Sequence, residues 1–429
     1  MKKYIEPDLE VWPEIIKRPV FENAELKNQM YKIINDVKNF GDEALRKYTS
    51  LFDGNSIKQF KVSTEDILQS ENLLSAELKQ SIDLAYNNIV TFHSAQLDDT
   101  IKIETMEGVS CWRKPVAIEK VGLYVPGGSA PLFSTLLMLA IPAKLAGCRE
   151  IIVCTPPDKE GKINSTILYI AKLLKLKDIF KVGGAQAIAA MAYGTESVPK
   201  VFKIFGPGNQ FVTAAKQIVN SDGISIDMPA GPSEVAIYAD HTCNPLFVAA
   251  DLLSQAEHGL DSQVILIATS AHIVKLVDEA LLEQIEKLSR KEIIIKCLEK
   301  SVSIIINDID EAFKFINEYA AEHLIIASDN ALLLADKIIN AGSVFLGHYS
   351  PESVGDYASG TNHTLPTNAH AKAYSGVSVD SFVKKITFQQ LSQKGINNIG
   401  KAVEYMAMAE GLDAHKNAVS IRLKSNHLK

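Results

Sequence analysis

Short apolar runs, closed by glycine, proline or polar residues, alternate along most of this chain with longer amphipathic segments. "REIIVCTPP" and "KVFKIFGPGN" are two such runs; "SEVAIYAD", "DSQVILIAT", "SVSIIIND", "EHLIIAS" and "GSVFLGH" repeat the pattern further on. Continuous apolar runs of this length suit strands buried on both faces. Between them, "NSTILYIAKLLKLK", "AQAIAAMAYG", "AHIVKLVDEALLEQIEKLSR" and "DEAFKFINEYAA" carry helical spacing. The alternation predicts parallel sheets covered by helices. The expected fold class is therefore α/β, with two Rossmann-like, incomplete parallel-sheet domains plus small helical N- and C-terminal segments.

At 429 residues the chain exceeds one ordinary core. The expected division is an N-terminal helical segment 1–20, a discontinuous first α/β domain 21–118 with 234–376, a second α/β domain 119–233, and a C-terminal helical segment 377–429. A net charge of −7 gives no basic face, so no nucleic-acid partner is expected. The longest apolar stretch, 130–147, is interrupted by Ser134, Thr135, Pro142 and Lys144, and reads as a buried helix rather than a membrane span. The start "MKKYIEPDLEVWPE" has no apolar signal region, and none of the five cysteines forms a C-x-x-C pair. Reduced thiols in a cytoplasmic protein are expected.

Four glycine-rich loops stand where ligands bind in α/β sheets. They are "YVPGGSAPLFS" with Tyr124, "VGGAQAIAA" with Gln186, "FGPGNQFV" with Asn209 and "DMPAGPSEV" with Ser233. Each reads either as a tight turn or as a backbone cradle for an anion. No dinucleotide fingerprint is present; "GPGNQF" ends in Phe211 where a glycine is required.

"AEH" occurs twice, at Ala256–His258 and Ala321–His323. If the first copy is helical, Gln255 and His258 share a face, as metal ligands or as a plain surface pair. Glu322 and His323 stand at a helix–strand junction, as an acid/base pair or as a capping histidine beside a solvated carboxylate. The segment 348–376 has almost no apolar periodicity and carries Asp356, His363 and His370. Asp356 reads equally as a metal ligand or an Asx turn. Glu410 and His415 follow near the end, across Gly411. His258, Asp356, His415 and a fourth donor would make a tetrahedral N/O site.

Taken together, "VGLYVPGGSAPLFSTLLML", "VGGAQAIAAMAYGT", "FGPGNQFVTAAK", "IDMPAGPSEV", "DLLSQAEHG", "AAEHL", "GDYASGTNHTLPT" and "AEGLDAHKNAV" resemble the histidinol dehydrogenase family, in its order and from about residue 20 to about residue 420. The resemblance implies the four-electron oxidation of L-histidinol to L-histidine through L-histidinaldehyde, the last step of histidine biosynthesis. It implies two NAD per turnover, one Zn²⁺ per subunit, and an intertwined homodimer with shared active sites. By motif, Gln255, His258 and Asp356 would hold zinc with His415 of the other subunit, and these ligands would also touch the substrate. Tyr124, Gln186 and Asn209 would contact NAD. Ser233, His323, His363 and Glu410 would contact substrate, and Glu322 and His323 would be catalytic. Two rival readings share the residues: a zinc-dependent hydrolase of a phosphate-bearing small molecule, and a non-catalytic nucleotide-binding protein.

Overall fold

The computed structural model describes residues 1–18, 24–97, 99–127, 131–229 and 231–424. Residues 128–130 of the first glycine-rich loop and 230 of the fourth lie outside the described residues. The strands, in chain order, are β1 (Lys2–Ile5), β2 (Lys102–Met106), β3 (Val109–Ala117), β4 (Lys120–Tyr124), β5 (Glu150–Thr155), β6 (Asp178–Lys181), β7 (Lys203–Phe205), β8 (Ser225–Ile226), β9 (Glu234–Ala239), β10 (Gln263–Ala268), β11 (Val302–Ile305), β12 (His323–Ala327), β13 (Ser343–Leu346) and β14 (Val383–Leu391).

The chain forms two compact units. The larger comprises Met1–Gln96 and Glu119–Phe382 and holds two wholly parallel sheets. One sheet has the order β1-β11-β10-β9-β12-β13, the other β6-β5-β4-β7-β8. Strand β9 shows why its sequence is apolar throughout. Val235, Ile237 and Ala239 enter the core on one face, and Ala236 and Tyr238 enter a second core on the other. Each fully buried aliphatic side chain of this kind contributes about 1.5–3 kcal/mol. The apolar stretch read as a buried helix is one, Phe133–Ala146, with Ser134 and Thr135 also buried. Among the described residues no helix is long and apolar enough to cross a membrane.

Both parallel sheets reverse direction of growth. From β4 the chain adds β5 and β6 on one side, then β7 and β8 on the other; from β9 it adds β10 and β11, then β12 and β13. Such reversals leave a crevice at the strand ends, where no crossover covers it. Gly206, just after β7, has φ +127°, and a Cβ there would collide with the carbonyl oxygen of Tyr124. A glycine is what lets the β7 loop close onto the end of β4.

The smaller unit, Leu97–Ile118 with the chain from Val383 onward, holds an antiparallel sheet in the order β14-β3-β2. Helices Gln393–Ala409 and Asp413–Lys424 follow, separated at Gly411.

Two expectations need correction. The opening segment is not purely helical: Lys2–Ile5 is a strand pairing in parallel with β11, ahead of the short helix Trp12–Ile15. Four residues are too few for periodicity to show, and the strand's own Lys2 and Lys3 mark a charged sheet edge. The C-terminal segment is not purely helical either, because Val383–Leu391 pairs with β3 over nine residues. Its polar composition hid it; a partner distant in sequence, Val109–Ala117, makes it a strand.

Candidate functional site

Three of the glycine-rich loops follow the carboxyl ends of β4, β6 and β7, and they meet at one cavity of about 720 Å³. Tyr124, Gln186 and Asn209 all line it, as do Asp53 and Phe52 from the helix Ala24–Asp53. Tyr124 is buried and its hydroxyl accepts from the Gly184 N–H at 3.1 Å, with burial pushing its pKa to about 12. Gln186 is 1% exposed, and its side-chain oxygen has no partner among the described residues. Asn209 is the N-cap of Gln210–Ser221, accepting from Phe211 N and Val212 N at 3.1 and 3.2 Å. The N-termini of that helix and of Gly184–Tyr193 therefore open beside the cavity, an arrangement suited to anions.

A second cavity, of about 250 Å³, is lined by Asn209, Ser233, His258, Glu322 and His363 among others, so Asn209 borders both. This one lies at the amino ends of β9 and β12, because Ser233 precedes Glu234 and His323 opens β12. The carboxyl-end rule holds for the first sheet and not for the second. The segment leaving β8 enters β9 within eight residues, which brings the carboxyl end of one sheet to the amino end of the other.

The backbone of Glu234 is the pivot of this end. Its N–H donates to Glu322 Oε2 at 2.9 Å, and its carbonyl lies 3.2 Å from His323 Nδ1. The other ring nitrogen, Nε2, is 3.3 Å from Asp356 Oδ1. Glu322 and His323 are 7% and 3% exposed, and the imidazole stacks against Phe345. The Glu234 side chain is itself fixed: Arg18 grips both carboxylate oxygens at 2.9 Å and donates to the Tyr319 carbonyl at 2.6 Å. Asn368 N adds a further bond to the same carboxylate at 2.8 Å.

Charge follows from this packing. Burial alone would lower the His323 pKa, but the carboxylates of Glu322 and Asp356 outweigh it and raise it well above the ordinary value. Burial raises Glu322, with His323 pulling against it. Burial would also raise Asp356, yet the bond from His323 and the nearby His363 and His258 hold it below the usual carboxylate range. His258 keeps an exposed edge on a concave wall, and desolvation there lowers its pKa.

His258 is not on the helix. The helix Pro245–Ala256 ends before it, and the His258 N–H donates to the Gln255 carbonyl at 3.3 Å in a terminal turn. Glycine at 259 and the short step to β10 end the helix two residues before His258. Gln255 itself is 1% exposed. Asp356 is not in an Asx turn but in the short helix Glu352–Tyr357. His363 has both ring nitrogens engaged, with Thr135 Oγ1 at 3.2 Å and the Asp356 carbonyl at 2.9 Å. Glu410 and His415 belong to the smaller unit, where both are exposed. Among the described residues no three His, Cys, Asp or Glu side chains gather as a metal centre. Sequence reasoning missed Glu234, Arg18 and Glu352. The available signal was a charge opening an otherwise apolar strand at Glu234, and Glu352 standing one helical turn before Asp356.

Residues 16–423 match the histidinol dehydrogenase family. The chain belongs to the histidinol dehydrogenase family. The histidinol dehydrogenase of Bacteroides thetaiotaomicron is 58% identical over 425 residues, covering 99% of both chains. That of Escherichia coli is 49% identical over 415 residues, covering 96% of this chain and 95% of its own. A crystal structure of histidinol dehydrogenase from Elizabethkingia anophelis superposes with a TM-score of 0.97 at 55% identity, over 100% of this chain and 99% of that one. The parallel-sheet architecture above is thus that of a histidinol dehydrogenase.

Proposed function

We propose that this chain oxidises L-histidinol to L-histidine with NAD, in two successive hydride transfers. The observation that carries the reading is the pair of cavities bordered in common by Asn209, one lined by Tyr124 and Gln186, the other by Glu322, Ser233, His258 and His363. The dinucleotide fits the larger. Two helix N-termini open beside it and would take the phosphates, and the unpartnered Gln186 oxygen would accept a hydroxyl or carboxamide hydrogen. NAD supplies the hydride acceptor, which takes two electrons per molecule; alcohol to acid therefore consumes two.

The donor set suits Zn²⁺. His258 is held neutral by desolvation, Asp356 is held anionic, and Gln255 offers an amide oxygen on the adjoining turn. A fourth ligand, His415 of the partner subunit, completes the set in a homodimer with shared sites. Zinc there would grip the imidazole and amine of histidinol and orient its alcohol.

His323 is the base. With Nδ1–H committed to the Glu234 carbonyl, Nε2 is the nitrogen that exchanges protons. Glu322 and, after it, Asp356 raise His323 against the effect of burial. Were Asp356 to ligate a cation, its share of that hold would weaken, and Nε2 would take the alcohol proton as hydride departs. The aldehyde has no O–H to lose, so water must add first. Glu322, buried and thereby more basic than a surface glutamate, takes a proton from that water. The hydrate then loses a proton to His323 with the second hydride. Ser233 and His363 line the substrate cavity and contact the substrate, with Glu410. The enzyme works in the cytoplasm. Adding NAD and histidinol to the zinc-loaded protein tests the reading: reduced nicotinamide supports it, and its absence with metal bound would return the site to a hydrolase.

A further inference from the structure

The Gln255 amide lies between Glu352 Oε1 at 3.0 Å and the Glu234 N–H at 2.9 Å, a donor it shares with Glu322 Oε2. Only one orientation satisfies both: NH₂ toward the carboxylate and oxygen toward the N–H. The reverse sets oxygen against a carboxylate and NH₂ against a donor. Glu352 is 1% exposed and itself anchored, its Oε1 accepting from Ser254 Oγ at 2.7 Å. Its other oxygen has no partner among the described residues, so the carboxylate is not there to satisfy a salt bridge of the fold. Glu352 and Asp356 stand four apart on one short helix, and Ser254 and Gln255 are adjacent on another. The two helices thus bring the orienting group and two donors together.

Resting on the zinc reading above, we propose that Glu352 is a positioning residue, which turns the Gln255 amide so that its oxygen, not its NH₂, faces the metal. A side-chain oxygen has two lone pairs; one accepts from Glu234 N–H and the other remains for the cation. Without Glu352 only the shared Glu234 N–H opposes the flipped orientation, in which nitrogen cannot bind metal. Loss of an outer partner of this kind typically weakens metal affinity about 10- to 100-fold.

The test is a zinc dissociation constant by competition with a chromogenic chelator, on the full-length protein. The variants are Gln255→Ala, Glu352→Met, Glu352→Gln and the double variant Gln255→Ala/Glu352→Met. Thermal unfolding of each sample checks the fold, and Glu352→Gln, nearly isosteric, covers the case of a misfolded Glu352→Met. Glu352→Met is expected to bind zinc roughly 10- to 100-fold more weakly. Glu352→Gln, whose oxygen still accepts from the amide, should regain most of that loss. The double variant should be no weaker than Gln255→Ala alone, because Glu352 acts through Gln255. Wild-type affinity in folded Glu352→Met, no better retention in folded Glu352→Gln, or losses that multiply in the double variant would each overturn the proposal. Wild-type affinity in Gln255→Ala would instead overturn the zinc reading beneath it.

Discussion

His323 Nδ1 lies 3.2 Å from the main-chain carbonyl of Glu234, so the ring at the start of β12 is held by the first residue of the neighbouring strand β9. That bond fixes which nitrogen faces the cavity. His323→Asn should therefore slow both oxidations by about 10²- to 10⁴-fold, the range of general-base catalysis. Zinc content, read by metal analysis, should be unchanged. Loss of zinc with activity would count against a base role.

Glu322 shares the same anchor but takes its bond from the Glu234 N–H. Glu322→Gln should slow oxidation of supplied histidinaldehyde more than oxidation of histidinol to the aldehyde. Transient kinetics from each starting compound separate the steps. Burial raises the Glu322 pKa, so the wild-type aldehyde step should fall as pH drops through a value above the ordinary glutamate range. Equal losses on both steps would remove Glu322 from water activation.

The anchor depends on Arg18, whose side chain is 8% exposed in its pair with Glu234. Arg18→Met leaves a buried carboxylate without its partner and should cost about 3–5 kcal/mol in chemical denaturation. Arg18→Met/Glu234→Gln should recover much of that. No recovery would mean that Arg18 acts by packing on Tyr319, which it overlies at 3.9 Å.

Asp53 lines the larger cavity, and burial raises its pKa to about 6. In the unfolded chain it titrates near 4. The folded state therefore holds the proton longer, and stability falls as pH rises from roughly 4 to 6. Above that window the penalty is complete. Asp53→Asn should melt higher than wild type at pH 8 and at the same temperature or lower at pH 4. A melting difference independent of pH would refute the assignment.

The sequence made the parallel sheets legible because strands buried on both faces, such as β9, leave an unbroken apolar run. It hid β1 and β14, which owe their state to distant partners rather than to local pattern. The loops carrying Tyr124, Gln186, Asn209 and Ser233 were readable together, since each follows a strand; that Ser233 lines a different cavity from Tyr124 and Gln186 was not. Glu234 showed only as a charge opening an apolar strand, because its part is played by its backbone, and a main-chain N–H and carbonyl carry no residue-specific letter. The Gln255–Glu352 contact was also out of reach, since it joins residues 97 apart in sequence across two helices.

A single site that carries histidinol through both oxidations reduces two NAD for each histidinol it consumes. Counting reduced nicotinamide formed per histidinol, with zinc-loaded protein, excess NAD and limiting substrate, reads this ratio. Two equivalents are expected, with one equivalent of histidine and no free aldehyde. One equivalent with aldehyde released, or none at all, would contradict it.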